Sequence, residues 1–304
     1  MSTLICFGFG YCAQDYVVEF GARFDRIVGT TRTAESAADH AARHYGGREV
    51  EMLVFDGSAP SADLIDAVRE AEALLISTPP SEQGDPVLLA LGDEIGKAVA
   101  LKSVVLLSTL GVYGDHGGAW IDETAELKPI NPRSRERVEA EAAWTALGAR
   151  TGVPVAVLRL AGIYGPGQNA IVNLERGRAW RIVKPGQVFN RIHVADIAQA
   201  IEAAFAKRAG GAFNLADDEP TAPGDPIVFA AALLGREPPP EWPFEEAVKS
   251  LPPMAASFYT ECKRARNDKL KGELGVTLRY PTYREGLQAA FAARSHVPPA
   301  AAIG

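Results

Sequence analysis

The sequence predicts an α/β protein built on a doubly wound parallel sheet, followed by a smaller C-terminal α+β domain. Apolar runs recur along the chain with helical segments between them, as in a sheet covered on both faces. The first run opens into a glycine-rich turn and then a helix. The length, 304 residues, exceeds one average domain and leaves room for an appended one.

Leu4-Ile5-Cys6-Phe7 reads as a buried strand that breaks into Gly8-Phe9-Gly10-Tyr11-Cys12-Ala13, and Ala13 to Phe20 can continue as a helix. Gly8 lets the chain turn sharply, Gly10 lets backbone N–H groups approach a pyrophosphate, and small Ala13 lets the helix pack on the strand. Gly8, Phe9, Gly10, Tyr11 and Cys12 are therefore candidate dinucleotide contacts. A Gly-x-Gly-x-x-Ala also marks ordinary turns. Its place directly after a strand favours the dinucleotide.

The later elements follow in order. Arg26 to Thr30 is a second strand, and Glu35 to Tyr45 an Ala-rich helix. Val50 to Phe55 is a third strand, ending in Asp56-Gly57 and followed by a helix from Ser61 to Arg69, with Ser61 or Asp63 near its cap. Ala73 to Ser77 is a fourth strand, stopped by Pro79-Pro80. A helix over Pro86 to Ala100 leads into Val104 to Ser108, the fifth. Asn131-Pro132 is a cap with proline at the first helical position, opening a helix to Ala149. Val155 to Leu160, a helix from His193 to Lys207 and a short strand Phe213 to Leu215 complete the sheet region. Ligands of such sheets sit at the carboxyl ends of the strands, so Gly8, Thr30, Asp56, Ser77 and Thr109 should share one rim. After Ala216 prolines punctuate short helical pieces until a last helix ending near Ala293. The domain division expected is 1–165 for dinucleotide binding, with 191–215 returning to it, 166–190 and 216–293 for a small substrate domain, and 294–304 as a flexible tail.

Bulk properties exclude several classes. A net charge of -7 and a pI near 5.4 argue against nucleic acid or an anionic membrane as partners. Cys6, Cys12 and Cys262 make no metal spacing and leave an odd count, which fits no metal and a reducing compartment. Without a signal-like N-terminus or an apolar stretch of ~20 residues, the expected location is the cytoplasm. The end of the second strand reads Thr30-Thr31-Arg32, with no carboxylate to repel a 2′-phosphate and a guanidinium able to pair with one. NADP is therefore favoured over NAD, with Thr31 and Arg32 as the discriminating contacts. The plainer reading of Arg32 is a solvated loop cation.

Four stretches together resemble the extended short-chain dehydrogenase/reductase family, of the NAD-dependent epimerase/dehydratase type. They are Leu107 to Asp115, Arg159 to Gly167, Arg191 to Asp196, and Phe213 to Ala216, within a similarity running from Thr3 to Phe291. The resemblance implies a Rossmann-like domain holding the dinucleotide and a smaller domain closing over a substrate, often a nucleotide-linked sugar. It matches Asp56 to an adenine contact, and Ser77, Thr78, Pro79 and Pro80 to the segment beneath the cofactor. It also allows a homodimer through the helices after the fourth and fifth strands.

The family carries Tyr-x-x-x-Lys on the helix after its Val-Tyr-Gly motif, plus a Ser or Thr that matches Thr109. Four residues apart puts both side chains on one helical face, so the ammonium lowers the phenol pKa. Here Val138-x-x-Glu141 aligns Arg137 with the lysine and Arg133 with the tyrosine, so the branch is atypical. Thr109, Arg133 and Arg137 are the candidate catalytic residues. An arginine holds its proton too tightly to act as an acid, but Arg137 can contact the cofactor ribose and Arg133 a substrate anion. The plainer alternative is a solvated helix face with pairs such as Arg135 to Glu139 and Arg137 to Glu141. The resulting reading is an NAD(P)-dependent oxidoreductase, epimerase or dehydratase acting on a small polar or nucleotide-linked sugar-type molecule. The alternative is a non-catalytic NADP-binding redox sensor or regulator.

Overall fold

The computed structural model describes residues 2–294; of the tail expected at 294–304, all beyond Arg294 lies outside the described residues. Five strands and five helices alternate first: β1 (Thr3–Phe7), α1 (Tyr11–Phe20), β2 (Arg26–Thr31), α2 (Ala34–Ala41), β3 (Glu51–Val54), α3 (Ala62–Glu70), β4 (Ala73–Ile76), α4 (Pro86–Lys97), β5 (Ser103–Thr109) and α5 (Pro132–Thr151). Strands Val155–Leu160 and Gly211–Leu215 then join at the β5 edge. The sheet has seven strands in the order Gly211–Leu215, Val155–Leu160, β5, β4, β1, β2, β3, all parallel. The expected Rossmann-like sheet is thus present, and the strand order reverses between β1 and β4.

The period-2 alternation of β1 shows why both faces are covered. Leu4 and Cys6 join one buried cluster, with Tyr16 and Val17 of α1 and Ile197, Ile201 and Phe205 of helix Val194–Lys207. Ile5 and Phe7 join the other, with Leu64 and Val68 of α3, Leu91 and Ile95 of α4, and Trp144 and Leu147 of α5. Each fully buried Leu, Ile or Phe contributes about 1.5–3 kcal/mol, so these two layers hold the sheet against its conformational entropy. Helix starts are capped by side chains that the sequence supplies: Ser61 accepts from Leu64 N, Asp85 from Val87 and Leu88 N, and Asn131 from Ser134 N.

The helix expected over Glu35 to Tyr45 stops at Ala41. Tyr45 turns inward to meet the Phe9 ring edge-on at 5.0 Å, and Gly46 and Gly47, both at positive φ, make the return. Beyond the main sheet, three short parallel pairs escaped the sequence reading. Gly162–Tyr164 pairs with Arg191–His193, Arg181–Val183 with Glu241–Pro243, and Trp120–Ile121 with Arg264–Ala265. Two small apolar clusters pack around these pieces, one at Tyr164, Ile171, Tyr283 and Leu287 and one at Ile182, Leu251 and Tyr259. No helix among the described residues is long and apolar enough to cross a membrane.

Candidate functional site

The rim residues follow directly from the strand ends. Gly8 takes φ +84°, and a Cβ there would stand 2.7 Å from Ser77 Oγ, so only glycine fits the turn. Its N–H donates to Thr30 Oγ1 at 3.0 Å, while Ser77 Oγ donates to Gly8 O at 2.6 Å. The turn is therefore pinned to β2 on one side and β4 on the other. Gly10 is the N-cap of α1, no side chain caps it, and a Cβ there would meet nothing within 4 Å. That combination leaves open space over a helix N-terminus, the geometry that takes a pyrophosphate. The residues present thus fit a dinucleotide.

Most side chains around that opening are packed or committed. Phe9 is buried between His40 and Tyr45. Cys12 is buried, which pushes its thiol up to about 12 and makes it inert at neutral pH. Tyr11 OH donates to Pro166 O at 3.0 Å, joining α1 to the turn after Tyr164. Thr31 Oγ1 donates to Thr33 O, and exposed Arg32 has no hydrogen bond or ion pair among the described residues. Asp56 Oδ1 accepts from Ser58 N and Oγ, which holds its carboxyl below the usual range. Thr78 Oγ1 is buried without a partner, next to Pro79.

Thr109 ends β5, and its Oγ1 accepts from Gly111 N at 3.1 Å. Arg137 points across to the strand ends, where Nη1 donates to Leu107 O at 3.1 Å and lies 3.4 Å from Thr78 O. Burial lowers its pKa without discharging it at neutral pH. Arg133 is exposed and lines a cavity of about 620 Å³ together with Thr109. Arg137 does not pair with Glu141 along the helix. Glu141 is buried and turns to Arg159, at 2.8 and 3.1 Å, and to Ser108 Oγ at 2.5 Å. Arg159 also donates to Tyr113 OH, which donates to Asn214 Oδ1, both at 2.7 Å. This chain starts at Ser108, next to Thr109 in sequence, and commits the Tyr113 hydroxyl proton to Asn214.

The cavity's other charged residues were not among the candidate site residues, although Arg191 opens one of the four resemblance stretches. Arg191 lines it, its guanidinium donating to Phe189 O and Thr221 Oγ1. Glu261 and Lys263 line it too and pair at 3.0 Å, with Lys263 Nζ also donating to Gly114 O at 2.9 Å. Apolar walls come from Leu160, Ile163, Phe189, Phe258 and Tyr283. His193 caps helix Val194–Lys207 by accepting from Ala195 N, and Asp196 accepts from Arg279 and Tyr280 N, so both have structural work. Among the described residues no cluster could hold a metal ion.

A parallel sheet with a glycine turn at its switch point, open above a helix N-terminus, defines a Rossmann-type dinucleotide-binding protein. The model of the NAD dependent epimerase/dehydratase family matches residues 88–216, and the chain belongs to that family. It is 47% identical to a functionally unknown conserved protein from Silicibacter pomeroyi DSS, covering 96% of this chain and 99% of that one at TM-score 0.86. It is 27% identical over 248 residues to protein YeeZ of Escherichia coli K12, covering 79% of this chain and 86% of YeeZ. The fold also matches a dTDP-glucose 4,6-dehydratase from Bacillus anthracis, solved with NAD, at TM-score 0.72 and 18% identity over 97% of each chain.

Proposed function

We propose that the protein binds NADP(H) at the Gly8 to Cys12 turn and exchanges hydride with a small polar or nucleotide-linked sugar-type substrate held in the adjoining cavity. The observation that supports this is an open helix N-terminus at Gly10, after β1, on the same carboxyl edge of the sheet as Thr109, which ends β5 and lines the cavity. The cofactor, when bound, supplies hydride transfer. The chain's part is binding and orientation: backbone N–H groups of Tyr11 and Cys12 for the pyrophosphate, Asp56 for the adenine side, and Ser77 to Pro79 beneath the rings. Arg137 belongs to the same group, since it already reaches the carbonyls of Thr78 and Leu107 at the strand ends.

The NADP preference rests on Arg32, exposed at the end of β2 with no carboxylate beside it. Calorimetry with NADPH and NADH tests it. Wild type should favour NADPH, and Arg32→Ala should erase most of the difference, a charge-assisted pair being worth about 1.5–3 kcal/mol. Equal affinities in wild type would refute the preference. The net positive lining of Arg133, Arg191 and Lys263 against Glu261 supports an anionic substrate.

A further inference from the structure

Pairing within the cavity wall leaves one of its charges free. We propose that the substrate is a carboxylic acid with an apolar body, its carboxylate held by Arg133 and its body lying along Ile163, Phe189, Ile227 and Phe258. This rests on the proposed reading of the cavity as the substrate site, and it narrows the substrate to a small acid in place of a nucleotide-linked sugar.

Four charged residues line the cavity: Arg133, Arg191, Glu261 and Lys263. Glu261 and Lys263 pair at 3.0 Å and cancel, and the Lys263 ammonium also donates to Gly114 O. Arg191 is committed to the fold. Its Nη1 donates to Phe189 O and Thr221 Oγ1, its Nη2 donates to Ala222 O, and the Asp217 and Asp225 carboxyls stand close enough to act on its charge. Arg133 differs. It is exposed in the first turn of α5 and makes no hydrogen bond or ion pair among the described residues. Its neighbour Ser134 packs over Gly111, where a Cβ would stand 3.2 Å from Ser134 Oγ and 3.4 Å from Thr109 Oγ1. The free guanidinium therefore rises from backbone one residue away from that contact with the end of β5.

The rest of the wall is largely apolar. Ile163, Phe189, Ile227 and Phe258 reach it from separate segments, and Phe258 is 52% exposed. A ring so exposed at a cavity wall gains free energy when apolar ligand surface covers it. Of the lining amides, Asn169 and Asn190 are bound to backbone groups, which leaves Gln168 and Asn173 for a ligand's remaining polar atoms. A nucleotide-linked sugar brings two phosphate charges and a row of hydroxyls, each of which loses water on entry and needs a partner. One free cation and two amides leave most of them unmatched. A carboxylate instead meets the planar guanidinium through two parallel hydrogen bonds, and an apolar body meets the walls.

Calorimetry on the full chain, with and without NADPH, tests this with benzoylpropionate, phenylpropionate and octanoate against UDP-glucose and dTDP-glucose. At least one acid should bind about 10-fold or more tighter than its own primary amide, and tighter than either nucleotide sugar. Arg133→Gln should erase the preference for acid over amide without weakening the amide. Phe258→Ala should weaken acid and amide alike, by about 3- to 10-fold. A nucleotide sugar that binds tighter than every acid, or no acid bound at millimolar concentration, would overturn the proposal. So would an acid–amide difference unchanged in Arg133→Gln, or an acid affinity untouched by Phe258→Ala. Failure of wild type to bind NADPH would instead count against the proposed function, and the titrations without cofactor would still decide the acid.

Discussion

The two halves of the candidate site are made in different ways. The dinucleotide rim is mostly backbone: Gly8, Gly10 and the first turn of α1, all within a few residues and fixed by strands on either side. The cavity is mostly side chain, and its groups come from Thr109, Arg133, Arg191, Glu261 and Lys263, scattered over half the chain. Backbone recognition tolerates any side chain that keeps the path of the chain. Side-chain recognition depends on many distant residues arriving together.

The largest effect should come from the buried hydrogen-bonded chain of Ser108, Glu141, Arg159 and Tyr113. Arg159→Ala leaves Glu141 as an unpaired buried carboxylate, and breaking such a pair costs about 3–5 kcal/mol. Urea unfolding should register that loss, and a shift under 1 kcal/mol would show that the network is dispensable. Gly10→Val sharpens the contrast from the other side. It should fill the open space over α1 and weaken NADPH by at least about 100-fold, or ~2.7 kcal/mol, while unfolding stability changes little. Undiminished affinity in calorimetry would place the cofactor elsewhere.

A smaller and pH-dependent effect is expected at buried Asp217. Burial raises its carboxyl to about 8, and Oδ2 has no partner. Between the ordinary carboxylate range and about pH 8 the folded chain holds a proton that the unfolded chain has released. Stability therefore declines as pH rises through that window. Asp217→Asn should remove the decline and gain about 1–3 kcal/mol over wild type at pH 8.5 relative to pH 4. Parallel melting curves for the two proteins between those values would contradict it.

The contrast also explains what could be read from the sequence. The sheet was legible because most of its strands carry a near-continuous apolar run, as in Thr3–Phe7, Ala73–Ile76 and Ser103–Thr109, and the Gly8 turn because its chemistry is local. Asn131 and Ser61 announced their helices by short-range capping. Glu141 was not legible: its spacing from Arg137 allows a helix-surface pair, and only the tertiary fold reveals Arg159 and Ser108 as its partners. Nothing local marks Glu261 and Lys263 as cavity residues. Their significance arises from Gly114, almost 150 positions away in the chain.

Asn190 adds a consequence for the order of assembly. Its side chain donates to Lys263 O at 3.0 Å and accepts from Ala265 N at 2.8 Å, acting as a two-sided splint for the segment that carries Glu261 and Lys263. Trp120–Ile121 grips the same segment as a two-residue strand. Contacts of such sequence separation close late in folding, because the entropy of the intervening loop must be overcome first. They are also few beside the seven-strand core, so they open early under stress. A partly denatured molecule should thus keep the glycine turn and lose the cavity, retaining the nucleotide after it has lost the means to use it.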